Sequence, residues 1–322
     1  MNKQRNFLLF ALFAAAATPA LAQTAPPVAA PAGSATHDAA SIPDFSRVWA
    51  HPALPWYEPP ASGPGPITNR SRGPQRPSGI SGSQASPPLK EGVSNYDQLV
   101  GDYTSPLLQP WAAEIVKKFG EISLAGITYP NPSNQCWPHP MPFVFKHFQV
   151  QIIQQPDKVL FLYNEDHEVR RVRLNEPHRS PLTPSWYGDS VGHYEGVTLV
   201  IDTVGFKVGP VSMVDRFGTP HTEALHVVER CRLLDYEAAK EGMERDAREN
   251  QVAVGTRDMS NRGKYLQLLF TVEDEGAFTM PWSATITYGR PLVEWPEHVC
   301  AENTQWFPGQ EAAIPTAAKP DF

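Results

Sequence analysis

The chain reads as a mainly β protein: an antiparallel β-barrel or strongly curved, calycin-like sheet, with a Pro-rich N-terminal arm and one or two short helices. Three observations predict this. From Phe143 onward, short runs of alternating apolar and polar residues follow one another, parted by turn residues at the spacing of a strand meander. The 34 prolines leave few stretches where a helix can persist. No long helical segment separates consecutive strands, as a doubly wound parallel sheet would require. Closing such a meander into a barrel removes its exposed edges.

The elements follow in chain order. Residues 1–22 read as a signal peptide: Lys3 and Arg5 form a positive start, Phe7 to Ala16 an apolar run, and Ala20-Leu21-Ala22 a small-x-small cleavage site before Gln23. The apolar run is too short to stay in a bilayer as a resident helix, so the mature chain is expected to be periplasmic or secreted, with no membrane span. Residues 23–41 are an Ala/Pro/Thr linker of disordered composition. Residues 42–142 form the wrapping arm. It opens with Asp44-Phe45-Ser46-Arg47-Val48-Trp49, continues through a Pro/Gly/Ser run without periodicity, and carries an amphipathic helix over 107–121. That helix has Trp111, Ile115, Val116 and Phe119 as its apolar positions and Pro110 near its first turn.

Residues 143–322 form the antiparallel β domain, packed with the arm. Its strand runs are 148–152, 158–165, 169–174, 198–203, 224–230, 265–273 and 283–288. A charged, Ala-rich helical insertion over 235–250 separates two of them. Of three cysteines, Cys136 and Cys300 lie in turn-like segments near tryptophans and are expected to form a disulfide. Cys231 continues a strand pattern and should be a buried free thiol. No close cysteine pair suggests zinc.

The net charge of −7, with no basic stripe to offset it, argues against a nucleic-acid partner. No Gly-rich phosphate loop follows a strand, so a nucleotide cofactor is not expected, and none of another kind is indicated. The expected partner is a small-molecule ligand or substrate.

Chemistry concentrates between Pro184 and Leu233, a stretch of mostly strand-like patterns that holds three histidines, several carboxylates and three arginines. The segments Gln135-Cys-Trp-Pro, Pro184-Ser-Trp-Tyr-Gly-Asp-Ser-Val-Gly-His-Tyr-Glu-Gly, Leu199-Val-Ile-Asp-Thr-Val-Gly-Phe, Leu225-His-Val-Val-Glu-Arg and Glu294-Trp-Pro-Glu resemble an uncharacterised family of exported, β-rich bacterial proteins. Many of its members read Gly-His-Ser-Ile-Gly-Arg-Trp-Glu-Gly-Asp-Thr where this chain has Gly188 to Thr198, so a His is lost at Asp189 and one gained at His193. The resemblance covers most of residues 42–305 and implies export and a shared grouping.

Gly188-x-Ser190-x-Gly192, followed by Asp202, Asp215, His221 and His226, has the Ser…Asp…His order of an α/β-hydrolase. A nucleophile elbow joins a strand to a helix, whereas here a turn is followed by a strand. Glycines easing a tight entry into a strand explain the motif better. His221, Glu223 and His226 as a metal triad meet a parity problem, because on one strand His226 faces away from the other two. Acid–base chemistry fits the pattern best. His226 and Arg230 share a strand face, His193 lies on a neighbouring run, and Asp202, inside an apolar run, needs a cationic or hydrogen-bonding partner. These four are the candidate catalytic residues. The alternative for Asp202, Glu229 and Arg230 is an ion-pair network that closes the barrel.

Tyr163, Trp186, Tyr187, Tyr194 and Glu223 are the candidate substrate-binding residues, and Trp282 and Trp295 could add to an aromatic lining. Glu165 ends a strand beside Tyr163, while His139 and His178 sit in Pro-bounded loops and read as exposed. The resulting expectation is a periplasmic enzyme using a His–carboxylate pair on a small aromatic, hydrophobic or sugar-derived molecule, as an isomerase, lyase or hydrolase. The alternatives are a small-molecule-binding barrel of the cell envelope and an interaction protein using its Pro-rich arm.

Overall fold

The computed structural model describes residues 42–300 apart from 52–56, 74–91, 93, 96–97, 128, 147–148, 166–167, 250–256, 259, 294, 296 and 298. The expected signal peptide and linker, and residues 301–322, lie outside the described residues.

Among the described residues, nine strands form a single sheet in strict sequence order. They are β1 (Arg47–Ala50), β2 (Gln149–Gln154), β3 (Lys158–Tyr163), β4 (Val169–Leu174), β5 (Asp189–Glu195), β6 (Thr198–Val204), β7 (His226–Leu234), β8 (Tyr265–Glu273) and β9 (Trp282–Tyr288). The sheet therefore starts inside the segment expected to be only a wrapping arm, since β1 pairs with β2 from Arg47↔Ile152 to Ala50↔Gln149. The alternation over 148–273 corresponds to strands with one face buried, as in β3, where Val159, Phe161 and Tyr163 are buried and Lys158, Leu160 and Leu162 are partly covered.

The sheet curls into a nearly closed barrel, and the arm fills the seam. Ala50 and Gly289 exchange backbone hydrogen bonds of 2.9 and 2.8 Å, Glu58 and Thr285 exchange two of 3.0 and 2.9 Å, and the Ser283 amide donates to the Pro64 carbonyl at 2.9 Å. Ala50, Glu58 and Pro64 thus meet the free edge of β9 and the residue after it. The buried Glu58 carboxylate strengthens this seam by accepting from the Thr287 amide at 2.8 Å and the Thr287 hydroxyl at 2.9 Å. Edge groups that would otherwise invite pairing with another chain are satisfied internally.

One pair departs from the expected antiparallel pattern. β4 and β5 run parallel over Val172↔Ser190, Arg173↔Val191 and Leu174↔Gly192. The reason is the link of residues 175–188: three prolines (177, 181 and 184) prevent a tight hairpin, and its length is that of a crossover between parallel strands. This link becomes important below.

Among the described residues, two α-helices accompany the sheet. α1 (Pro110–Leu124) lies three residues later than expected, with Pro110 in its first turn. Its buried positions are Ala112, Val116 and Gly120, at i, i+4 and i+8, whereas Trp111 is 44% exposed and donates its indole N–H to the Gly276 carbonyl at 2.6 Å. Small residues face inward because the helix packs closely: a Cβ at Gly120 would lie 2.9 Å from Val100 Cγ1. α2 (Tyr236–Glu249) follows β7 as expected, with Ala239 and Met243 buried against Leu234 and Tyr265. The main core fills the barrel and its mouth, with Trp49, Phe145, Ile152, Leu199, Phe270 and Trp282 among its fully buried side chains. The Cys136–Cys300 disulfide is formed, and Cys231 is a buried free thiol. Burial, with the nearby Glu229 carboxylate, pushes that thiol well above its ordinary range, which makes it inert.

Candidate functional site

Register decides which polar residues face the barrel interior and which face out. Ser190, Gly192 and Tyr194 of β5 pair with Thr203, Ile201 and Leu199 of β6, and the last two with Glu229 and Cys231 of β7; these point inward. Val191, His193, Asp202, Val228, His226 and Arg230 therefore point outward. The shared face of His226 and Arg230 is confirmed, but it is the outer surface of the barrel.

The interior holds an ion pair. Arg170 of β4 and Glu229 of β7 are both buried, and the guanidinium grips the carboxylate with two N–H groups, one of them 2.9 Å from Oε2. Its remaining donors reach Ser190 Oγ at 3.0 Å and Thr203 Oγ1 at 2.8 Å. Burial pushes the Glu229 carboxyl up and the guanidinium opposes it, while Glu229 and Tyr163 outweigh burial at Arg170 and strengthen its hold on its proton. Ser190 is therefore a structural acceptor of the core rather than a nucleophile. The glycines beside it serve the strand entry: Gly188 has φ +66°, and a Cβ at Gly192 would press on Val172 and on the Val200 carbonyl at 2.9 and 3.0 Å. The ion pair expected among Asp202, Glu229 and Arg230 is instead Glu229 with Arg170.

Asp215, another member of the hydrolase-like order, is buried in the link between β6 and β7. It accepts from the Phe217 amide at 2.8 Å, the Thr219 amide at 3.3 Å and the Thr219 hydroxyl at 2.7 Å. Burial outweighs these bonds and raises its pKa from 3.8 to about 6. The folded state thus keeps a proton that the unfolded chain releases, so the stabilisation is full below pH 3.8 and is lost as pH rises through 6. That displacement amounts to about 3 kcal/mol. Asp215→Asn should remove this part of the pH dependence. Denaturant unfolding at pH 4 and pH 7 measures it, with the variant gaining on the parent by about that amount at the higher pH.

On the outer face a chain of alternating carboxylates and imidazoles crosses from β8 to β4. His226 places Nδ1 3.1 Å from Glu273 and Nε2 3.1 Å from Asp202. His178, from the crossover link, places Nε2 3.0 Å from the other Asp202 oxygen and Nδ1 3.0 Å from Asp189. Arg173 then grips Asp189 with two N–H groups at 2.6 and 3.2 Å and reaches Glu176 at 2.9 Å. Arg173 is the main cause holding the Asp189 carboxyl far below its usual range, with the Arg179 amide and His178 adding to it. Asp202, expected to be interior, is 43% exposed, and its partners are imidazoles. It meets His226 diagonally, because its directly opposed residue is Val228.

The other two candidate catalytic residues do not join this chain. Arg230 donates to Glu195 at 2.6 Å and His193 lies 3.2 Å from the same carboxylate. Glu195 is held below its ordinary pKa chiefly by Arg230 and then His193. The reason is spacing: Arg230 is four residues beyond His226, about 13 Å along the strand.

The candidate binding residues also separate. Tyr163 is buried in the core, with its ring stacked 6.1 Å from that of Tyr187. Tyr194 is half-buried, its hydroxyl 2.9 Å from Gln154 Nε2. Glu223 is exposed in the turn before β7, off the strand on which parity had placed it. Trp186 and Tyr187 line a cleft between β4 and the crossover link. Trp282 belongs to the core, and Trp295 is partly buried. His221 is buried, with Nδ1 3.0 Å from the Thr222 carbonyl, and burial lowers its pKa. His139, expected to be exposed, is also buried, edge-on to Phe143. Among the described residues no cluster of His, Cys, Asp and Glu has a metal-holding arrangement.

Clefts among the described residues include three that bear on the candidate residues. One of about 410 Å³ is lined by His226, Glu273, Asp274, Glu275, Phe278 and Met280 among others. One of about 570 Å³ contains Asp189, Trp186 and Tyr187. The third, of about 480 Å³, lies at the disulfide and includes Trp137, His139 and Glu165. The carboxylate–imidazole chain thus runs between the first cleft, at Glu273, and the second, at Asp189. Comparison with protein-family models, with curated proteins and with solved structures finds no match.

Proposed function

We propose that this protein is an exported enzyme that transfers protons through His226 on a small hydrophobic or sugar-derived molecule held in the 410 Å³ cleft. The observation that carries this reading is the His226 ring, suspended between Asp202 and Glu273 at the wall of that cleft. Asp202 orients the ring and stabilises positive charge on it, the usual role of a carboxylate beside a catalytic imidazole. Glu273 is 48% exposed, so a substrate hydroxyl or acidic C–H can displace it and meet Nδ1. His178 and Asp189 extend the chain and spread the charge that a proton on His226 would create. Phe278, Met280 and Pro281 offer an apolar surface for the substrate body. Export is supported by the leader-like N-terminus and by a disulfide, which persists in oxidising compartments.

The test is a thermal-shift screen of neutral aromatic and sugar-derived molecules, followed by product analysis of each stabilising compound. At least one should be converted. His226→Gln should lower the rate by about 100-fold or more while leaving the melting temperature near that of the parent. Compounds that stabilise the protein but emerge unchanged would make it a binding barrel instead.

A further inference from the structure

We infer that the cleft between β4 and the crossover link is a second binding site, for a small ring-bearing monocarboxylate. The cleft arises where the sheet's one parallel pair begins. β4 and β5 pair only from Val172 and Ser190 onward, so the first half of β4 faces residues 185–188 of the link rather than a strand. This opens about 570 Å³, within the size range of small-molecule sites.

The lining combines aromatic surface with cationic arms. Trp186 and Tyr187 supply the rings. Tyr187 is backed by Tyr163, and Trp186 is braced edge-on by Trp137 at 5.3 Å. Both faces are thus held in place before a ligand arrives, which lowers the cost of binding. Five cations line the cleft: Lys158, Arg170, Arg171, Arg173 and Arg179. Three are committed, Arg170 to Glu229, Arg173 to Asp189 and Glu176, and Lys158 to Asp157. Arg171 is exposed on β4 with no acidic partner among the described residues. Arg179 is 71% exposed and reaches Asp189 only at 3.7 Å. Two available guanidinia suit one carboxylate, which a planar fork binds well. The acidic residues Asp157, Glu168 and Glu176 on the same walls would repel a polyanion. The ligand therefore joins a ring to a single negative charge.

Isothermal titration of the mature chain tests this with 4-hydroxybenzoate and glucuronate as probes. The controls are 4-hydroxybenzyl alcohol, glucose, acetate and inorganic phosphate. At least one ring carboxylate should bind at least about tenfold more tightly than its neutral counterpart and than acetate or phosphate. Arg171→Ala and Arg179→Ala should each weaken it by about tenfold, and Trp186→Leu by about fivefold, with the melting curves of the two arginine variants unchanged since both guanidinia border solvent. The inference falls if neither ring carboxylate binds, if the alcohols or simple anions bind as well, or if the arginine variants bind like the parent.

Discussion

Replacing Arg170 by alanine is expected to cost about 3–5 kcal/mol, a large part of the stability of an ordinary domain. Glu229 is fully buried and takes two of its hydrogen bonds from this guanidinium. Without Arg170 it must either keep an unpaired charge in the barrel or take up a proton. Ser190 and Thr203 lose a donor at the same time. The pair itself need not be net stabilising, because burying both charges cost desolvation first. Hence Arg170→Met combined with Glu229→Leu should recover much of what Arg170→Ala loses. Guanidinium unfolding at constant m-value measures both. If Arg170→Ala unfolds at the parent's midpoint, Glu229 has found another partner and the pair is not what holds β4 to β7.

Breaking the disulfide should have an effect of similar size. Cys136 and Cys300 are 164 residues apart, and loop-entropy arguments give about 5 kcal/mol for a closure of that length, before any strain is subtracted. The paired Cys136→Ser and Cys300→Ser variant is expected to lose about 3–5 kcal/mol in denaturant unfolding. It should also loosen the 480 Å³ cleft, which both cysteines line. Thiol titration of the unfolded, unreduced parent should find one free cysteine, Cys231, and in the folded protein that thiol should not react. Three reactive thiols without reductant would refute the bond.

Much of the candidate site was legible in strand parity. Alternation put His226 with Arg230 and Glu229 with Val227; Asp202 does meet His226, but on the exposed outer face and not in the interior where burial would have required a partner. The buried ion pair left a signal too. Arg170 shares parity with Val172 and Leu174, and Glu229 with Val227 and Cys231, so both charges occupy core positions of their strands. Read together, those parities name the pair. His178 left no such signal, because it lies in a Pro-rich link, and a loop has no period from which a direction can be read.

By itself the sequence determined the β class, the strand runs of the sheet from β2 onward except β5, both helices to within three residues, and the cysteine pairing. These follow from local rules of alternation, proline exclusion and turn chemistry, which act over a few residues. Only the tertiary structure decided which face of each strand is the interior, since parity separates two faces without saying which one closes inward. It also decided that β4 and β5 run parallel, and with that where the crossover link lies. That link carries His178 to Asp202 and opens the cleft beside Arg171. Its path depends on how distant strands pair, and such long-range closure is not encoded in any short stretch of residues.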